Sequence, residues 1–189
     1  MAERPIKQFY EIEKRVEQVA RTISSDYKAH TKPPIMVCLL NGGASFFNDL
    51  TRNMKINVEL DYMRIKTYNG NEDAGEPTTL LVPQIDLKDR DVIIVDDMSD
   101  TGVTMSEALV TVTEKQPASV KTALFLTRKN PAFTPDYVCF NNMNKTGWFY
   151  GYGMDDEGLK RNYTNLYIKN EIVEEGDKEI VEEKVDIKE

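Results

Sequence analysis

The sequence predicts an α/β protein in which helices flank a mostly parallel central sheet. Short apolar runs bounded by glycine, proline or charged residues, such as Ile35–Leu40 and Val92–Val95, are typical of strands buried on both faces. A segment with helical character follows each of these two runs. Strands and helices therefore alternate along the chain, which is the order that parallel strand–helix–strand units require.

The first predicted elements are a helix, a strand and a second helix. Apolar residues recur at helical spacing among charged residues near the N-terminus and predict an amphipathic helix: Ile12, Val16, Val19 and Ile23. Pro33-Pro34 and Gly42-Gly43 bound the strand "IMVCLL", Ile35–Leu40. The segment "SFFNDLTRNM" after the glycine turn is predicted to be the next helix.

A second strand and a polar loop follow. The segment "INVELDYMRIKTY" predicts a long strand, because its apolar residues alternate through Ile56, Val58 and Leu60. The polar segment "NGNEDAGEPTT", Asn69–Thr79, contains glycines and a proline and offers nothing to bury, so it is predicted to be a mobile loop.

The second half begins with the clearest buried strand, "DVIIVDD", Asp91–Asp97, and the helical segment "TGVTMSEALVTVTE" follows it. Further strand candidates are "SVKTALFLT", "DYVCF", "GWFYGY" and "NLYI". Residues 170–189 hold nine acidic residues and three lysines, and this tail is predicted to be disordered or loosely packed.

Composition restricts the possible partners and the compartment. A chain of 189 residues fits one domain, and its net charge of −8 argues against a nucleic-acid or anionic-membrane partner. Cys38 and Cys139 lie far apart in apolar runs, so no disulfide is expected and a reducing compartment fits. Without an apolar signal region or a membrane-length run, the protein is predicted to be cytoplasmic.

The stretch "VIIVDDMSDTGVTM" carries the chemistry of the sequence. In a parallel sheet, ligands collect at the carboxyl ends of strands, where helix N-termini attract anions. The turn at this place predicts a site for a phosphate monoester and consists of Asp100, Thr101, Gly102, Val103 and Thr104. Carboxylates repel phosphate, so Asp96 and Asp97 are predicted to contact sugar hydroxyls or Mg²⁺. Ribose 5-phosphate has both features.

The same stretch resembles the 5-phosphoribosyl pyrophosphate (PRPP) signature of type I phosphoribosyltransferases, and further segments are similar to the hypoxanthine-guanine branch. The resemblance covers about residues 35–168. It implies a pyrophosphate-binding first loop with a non-proline cis peptide at Leu40, Asn41 and Gly42, where Asn41 replaces the usual basic residue. It also implies a mobile loop whose Ser-Tyr pair appears as Thr67 and Tyr68.

The resemblance also implies the residues that bind the base. Arg128 matches the position of the basic residue that contacts the exocyclic oxygen of the purine, and Lys129 lies beside it. In the hood segment "GWFYGYGMDDEGLKRNY", Trp148 matches the aromatic that stacks on the purine and Phe149 the residue that bonds it through the backbone. The remaining matches are Asp155, which helps to hold Mg²⁺, and Arg161, which contacts pyrophosphate.

These matches imply a Mg²⁺-dependent transferase that joins a 6-oxopurine to PRPP. Asp100 is the expected general acid/base for the N7 proton of the purine. The implied fold is a single domain over residues 1–169, with a small hood built from the N-terminal region and about residues 145–169. A homodimer or homotetramer is expected by analogy.

The sequence is compatible with two alternatives. Single side chains in the hood decide base choice, so an enzyme for xanthine or adenine is possible. Some proteins of this fold are non-catalytic regulators that bind PRPP or nucleotides. Such regulators usually carry a basic RNA-binding face, and outside its tail this chain has a nearly neutral balance of charges.

Overall fold

The computed structural model describes residues 4–66, 77–143 and 146–172. Its helices and strands occur in the order α1 (Phe9–Tyr27), β1 (Ile35–Leu40), α2 (Ala44–Asn53), β2 (Glu59–Lys66), β3 (Thr78–Leu81), β4 (Asp91–Met98), α3 (Val103–Thr113), β5 (Ser119–Arg128), β6 (Tyr137–Met143), β7 (Thr146–Tyr150) and β8 (Tyr167–Ile172).

The central sheet has six strands in the order β3-β2-β1-β4-β5-β6. Strands β2, β1, β4, β5 and β6 pair in parallel, and only β3 is antiparallel to its neighbour. The predicted mostly parallel sheet is therefore confirmed. Strands β1 and β4 lie in the middle, and their carboxyl ends bring Leu40 and Met98 to the same edge of the sheet.

Helices cover both faces of this sheet. One apolar core forms where α1 and α2 pack on side chains such as Met36, Ile93 and Phe125. A second core forms on the other face, where α3 buries Met105 and Ala108 against the strands. Because β1 and β4 are covered on both faces, their sequences read as continuous apolar runs rather than as alternating patterns.

The hood is a separate two-stranded sheet made by β7 and β8. The N-terminal segment joins it, since Lys7 forms an antiparallel bridge with Leu166. The backbone N–H of Phe9 also donates to Asn165 Oδ1 at 2.8 Å. Both contacts tie the start of α1 to the hood.

The second strand differs from its prediction. It begins at Glu59, so Ile56 and Val58 precede it, and Leu60 is 44% exposed. Asp61 and Met63 lie on the covered face instead. The apolar alternation failed because Ile56 and Val58 pack on the core from the connection that leads into the strand.

Two further boundaries differ. Thr78 and Thr79 form part of β3, although the polar composition predicted a loop through Thr79; residues 69–76 of that predicted loop lie outside the described residues. At the other end, β8 reaches Ile172, three residues into the predicted acidic tail. The rest of that tail also lies outside the described residues.

Both cysteines are free and buried in the core. Among the described helices, none is long and apolar enough to cross a membrane.

Candidate active site

A cavity of about 560 Å³ opens at the carboxyl end of the sheet, between the strands and the hood. The elements that meet there are the ends of β1 and β4, the turn into α3, and the hood. The residues that line the cavity are Leu39, Leu40, Gly42, Ile65, Pro77, Asp96–Thr104, Trp148, Phe149, Met154, Asp155 and Arg161.

The turn from Asp100 to Thr104 lines this cavity. Gly102 caps α3 with φ 78°, a left-handed conformation that glycine adopts at little cost. The helix begins at Val103, so its first backbone N–H groups and the positive end of its dipole lie in the turn. This arrangement suits a phosphate group.

Asp96 and Asp97 follow the buried run of β4. Asp96 is 7% exposed, and its Oδ1 accepts the backbone N–H of Asp97 at 2.8 Å. Burial raises the pKa of both carboxyl groups, and the charge of Asp97 raises the pKa of Asp96 further. The pair is therefore a costly arrangement for the fold alone, and a ligand with hydroxyl donors or a cation would offset that cost.

Replacing Asp96 with asparagine is expected to increase the free energy of unfolding by about 1 kcal/mol at pH 8 and to abolish binding of a diol ligand. The raised pKa in the folded state means that ionisation of Asp96 opposes folding as pH rises above the unfolded value. The amide carries no charge, so the increase in the free energy of unfolding should be largest at high pH and vanish near pH 3. Urea unfolding at both pH values measures this difference.

Asp61→Asn is the matched control for this variant. The Asp61 carboxylate is also buried, but both of its oxygens accept backbone N–H groups, from Tyr62, Gln84 and Ile85, each at 2.7 Å. An amide cannot accept at both positions, so this variant should lose stability. A loss at Asp96 comparable to that at Asp61 would contradict the prediction.

The loop after β1 packs tightly against the acidic pair. A cis peptide bond joins Leu40 and Asn41, as the resemblance predicts. A Cβ added at Gly42 would lie 2.0 Å from Asp97 Oδ2, and one at Gly43 would lie 3.0 Å from the Cα of Asp96. Only glycines allow the loop to approach β4 this closely, so backbone rather than side chains faces the cavity here.

The hood contributes an ion pair to the lining of the cavity. Arg161 Nη2 donates to Asp155 Oδ1 at 2.5 Å, and the backbone N–H of Gly158 donates to Asp155 Oδ2 at 2.8 Å. The second Arg161 amino group, Nη1, donates to the carbonyl of Gly153 at 2.8 Å. The charge of Arg161 lowers the pKa of Asp97, but burial raises this pKa and has the larger effect.

Arg128 lies at the end of β5 and contacts Asp100. Its Nε donates to Asp100 Oδ1 at 2.6 Å, and its Nη2 donates to the carbonyl of Gly147 at 2.9 Å. The guanidinium carbon lies 4.6 Å from the centroid of the Phe149 ring. Lys129 is exposed. Of the two neighbouring basic residues, Arg128 is thus the one joined to the predicted site.

The two hood aromatics occupy different environments. Trp148 is 50% exposed, lines the cavity, and donates from Nε1 to the carbonyl of Asp155 at 2.6 Å. Phe149 is 2% exposed, and its ring is covered by Arg128. An exposed indole beside a cavity is free to stack on a planar ring, whereas the ring of Phe149 is buried.

The cavity brings together most of the residues predicted from the sequence. Asn41 and Arg128 are not among the residues that line it, but Asn41 lies between two lining residues in sequence and Arg128 contacts Asp100. Thr67 and Tyr68 lie outside the described residues. Six residues line the cavity without having been predicted, and most are apolar: Leu39, Ile65, Pro77, Met98, Ser99 and Met154. Apolar residues that line a cavity could not be predicted, because in sequence they have the same pattern as apolar residues of the core.

Comparisons with known proteins point to one family. Residues 5–157 match the phosphoribosyl transferase domain. The chain is 32% identical to the hypoxanthine-guanine phosphoribosyltransferase of Aquifex aeolicus, covering 84% of this chain and 89% of the relative. It is 30% identical to the hypoxanthine-guanine-xanthine phosphoribosyltransferase of Tritrichomonas foetus, covering 86% and 89%.

A solved structure of the hypoxanthine phosphoribosyl transferase of Trypanosoma cruzi superposes with a TM-score of 0.80 at 26% identity, covering 88% of this chain and 91% of that one. The resemblance to the hypoxanthine-guanine branch is confirmed by these relatives. The chain therefore belongs to the phosphoribosyl transferase domain family.

Proposed function

We propose that the protein is a purine salvage enzyme that joins hypoxanthine or guanine to the ribose 5-phosphate of PRPP. The products are IMP or GMP and pyrophosphate. The observation that carries the proposal is the meeting, in one cavity, of a phosphate turn, a buried acidic pair and an exposed tryptophan. Each part suits one portion of a ribonucleotide: the phosphate, the ribose diol and the base.

The pyrophosphate half of PRPP has its own partners in this proposal. The backbone of Leu40, Asn41 and Gly42 borders the acidic pair, and Arg161 lies on the hood side of the same cavity. Thr67 and Tyr68, in the predicted mobile loop, are proposed to complete this binding site. Positive charge builds on the ribose as pyrophosphate leaves, and the carboxylates of Asp96 and Asp97 stabilise it.

The donor set also fits Mg²⁺. Within the described residues, no group of three His, Cys, Asp or Glu side chains could hold a metal ion by itself. Mg²⁺ usually needs only one or two carboxylates and takes its other ligands from water and substrate phosphates. Asp96, Asp97 and Asp155 line the cavity and would supply the carboxylates. The bound ion would act as a Lewis acid on the departing pyrophosphate.

The base is proposed to bind between the hood and Arg128. Trp148 stacks on the purine, the Phe149 backbone bonds its edge, and Arg128 donates to the exocyclic oxygen. Asp100 takes the proton from N7 as the ribose bond forms at N9. Support comes from the 2.6 Å contact between Arg128 and Asp100, since Asp100 lines the cavity.

Incubation of the protein with PRPP, Mg²⁺ and each of hypoxanthine, guanine, xanthine and adenine tests the proposal. Formation of IMP and GMP, with little AMP, is the expected result. The relative from Tritrichomonas foetus is named for xanthine as well, so product from xanthine would widen the substrate range. Absence of product with every base would favour a regulator that binds PRPP or nucleotides.

Replacing Asn41 with lysine is expected to lower the KM for PRPP by about three- to tenfold, because a positive charge beside the first loop attracts pyrophosphate. Asn48→Lys is the matched control, since it adds the same charge at an exposed position of α2. Steady-state kinetics at low and high salt measure the effect. If the KM for PRPP fell equally in both variants, the cause would be a general effect of the added charge, which would contradict a role for position 41.

The assembly is proposed to be a homodimer or homotetramer. Leu60 and Tyr62 on β2 are 44% and 43% exposed, and the Tyr62 ring lies 5.6 Å from Phe47 of α2. An apolar surface of this kind beside the first loop suits contact with a second copy. The buried free thiols agree with a proposed cytoplasmic location.

A further inference from the structure

A buried tyrosine of the hood is bonded to the helix that follows the first loop. Tyr152 is 3% exposed, and its hydroxyl donates to Asp49 Oδ2 at 2.7 Å. Asp49 lies on α2, whose first residue, Ala44, comes directly after the glycine pair of the loop. Burial and the Asp49 carboxylate raise the pKa of Tyr152, so its hydroxyl stays protonated and remains a donor.

The residues around Tyr152 form a tight turn that touches the first loop. Gly151 and Met154 exchange backbone hydrogen bonds of 3.0 and 3.1 Å. Gly153 has φ 100°, and a Cβ added there would lie 2.3 Å from the carbonyl oxygen of Gly42. The turn therefore sits directly on the backbone that borders the acidic pair.

The same turn holds the charged wall of the cavity. The Gly153 carbonyl accepts from Arg161 Nη1 at 2.8 Å, and the Gly153 N–H donates to the Arg161 carbonyl at 3.0 Å. Arg161 in turn pairs with Asp155 at 2.5 Å. A displacement of the turn away from α2 would move Arg161 and Asp155 with it.

Packing alone does not account for the hydroxyl of Tyr152. Its ring contacts Phe125 with centroids 4.6 Å apart, and a phenylalanine would keep that contact. A buried hydroxyl stabilises a fold only when it is bonded, so its presence here points to the bond itself. The bond joins α2 and the hood, two parts of the chain that are 103 residues apart in sequence.

We infer that the hydrogen bond between Tyr152 and Asp49 positions the hood against the first loop and thereby sets the affinity for the pyrophosphate half of PRPP. Both side chains are positioning residues that act through Gly153, Arg161 and Asp155. The inference rests on the proposed function for the identity of the ligand.

Tyr152→Phe and Asp49→Ala test the inference by steady-state kinetics. Each is expected to raise the KM for PRPP about tenfold and to change the KM for the purine less than twofold. Asp49→Asn keeps an acceptor oxygen and should restore a KM close to that of the wild type. The KM of the double variant for PRPP should be no higher than that of either single variant, because each substitution removes the same hydrogen bond.

Tyr27→Phe is the matched control, since it also removes a buried tyrosine hydroxyl. Tyr27 ends α1 and lies beside His30, and its hydroxyl meets no hydrogen-bond partner among the described residues. Tyr27→Phe should leave the KM for PRPP unchanged. A KM for PRPP that is unchanged in Tyr152→Phe, or raised equally in both variants, would overturn the inference.

Fluorescence of Trp148, the only tryptophan of the chain, gives a reading that needs no turnover. Titration with PRPP and Mg²⁺ should require about tenfold more PRPP in Tyr152→Phe than in the wild type. If the wild type binds PRPP but makes no nucleotide, the proposed function fails while this comparison still decides the inference. Equal titration curves for the wild type and Tyr152→Phe would contradict the inference.

Discussion

Asp100→Asn is expected to lower kcat by about 10²- to 10⁴-fold, the range that a lost general acid/base costs. Asparagine has nearly the same shape as aspartate and can still accept from Arg128 Nε, which lies 2.6 Å from Asp100 Oδ1 in the wild type. It cannot take the N7 proton. Turnover should therefore fall with little change in the position of the turn.

The KM for PRPP should change less than about threefold in this variant, because the phosphate is proposed to bind to backbone N–H groups of the turn and of α3, which the substitution leaves in place. Rapid-quench and steady-state kinetics separate the two effects. Thr104→Val is a useful companion, since it removes a hydroxyl donor from the phosphate turn and should weaken PRPP binding more than turnover. Equal losses of turnover and PRPP affinity in Asp100→Asn would remove Asp100 from the proton-transfer role.

The position of the turn from Asp100 to Thr104 beside the cavity could be predicted because its parts are contiguous. A buried strand, two carboxylates, a glycine and a helix start follow one another between Val92 and Met105. In a parallel sheet, this order alone places Asp96 and Gly102 at the ligand-binding edge. The structure has the strand and helix at these positions, with Gly102 as the residue before α3.

The contacts between distant segments could not be predicted in the same way. The pairing of Asp49 with Tyr152 depends on how the hood sits on the sheet, and neither residue has a local pattern that marks it. The fit of Gly42 beneath Gly153 depends on the same placement. Composition and spacing describe elements, whereas these contacts depend on the tertiary packing of elements that are far apart in sequence.

Local pattern also failed where two explanations fit the same residues. The alternation of Ile56, Val58 and Leu60 predicted one face of a strand, yet the residues of β2 on the covered face are Asp61 and Met63. A one-residue shift of register reverses the faces of a strand. Asp61 is buried because three backbone N–H groups satisfy it, which a count of apolar residues cannot detect.

Arg128→Leu is the second variant with a large expected effect. In the proposed reaction, negative charge develops on the exocyclic oxygen of the 6-oxopurine as the base loses its proton, and the guanidinium of Arg128 would stabilise that charge. Loss of such a donor costs about 10²- to 10³-fold in kcat/KM for hypoxanthine. Leucine retains apolar contact with Phe149, whose ring centroid lies 4.6 Å from the guanidinium carbon, so the hood should keep its packing.

Base choice should change in the same variant. In the proposed complex, the 6-amino group of adenine would present donors to the donors of Arg128, and this would disfavour adenine in the wild type. Removal of the guanidinium removes this penalty, so the preference for hypoxanthine over adenine should fall together with the rate. Competition between the two bases for one pool of PRPP measures the ratio directly.

Lys129→Leu is the control that separates the two neighbouring basic residues. Lys129 is exposed, whereas Arg128 pairs with Asp100 and covers Phe149, so the Lys129 variant should keep kcat/KM for hypoxanthine within about twofold of the wild type. Arg128→Lys keeps the charge but loses the planar guanidinium, so its kcat/KM for hypoxanthine should lie between those of the wild type and Arg128→Leu. If Lys129→Leu abolished the preference for 6-oxopurines while Arg128→Leu preserved it, the purine oxygen would have to be assigned to Lys129.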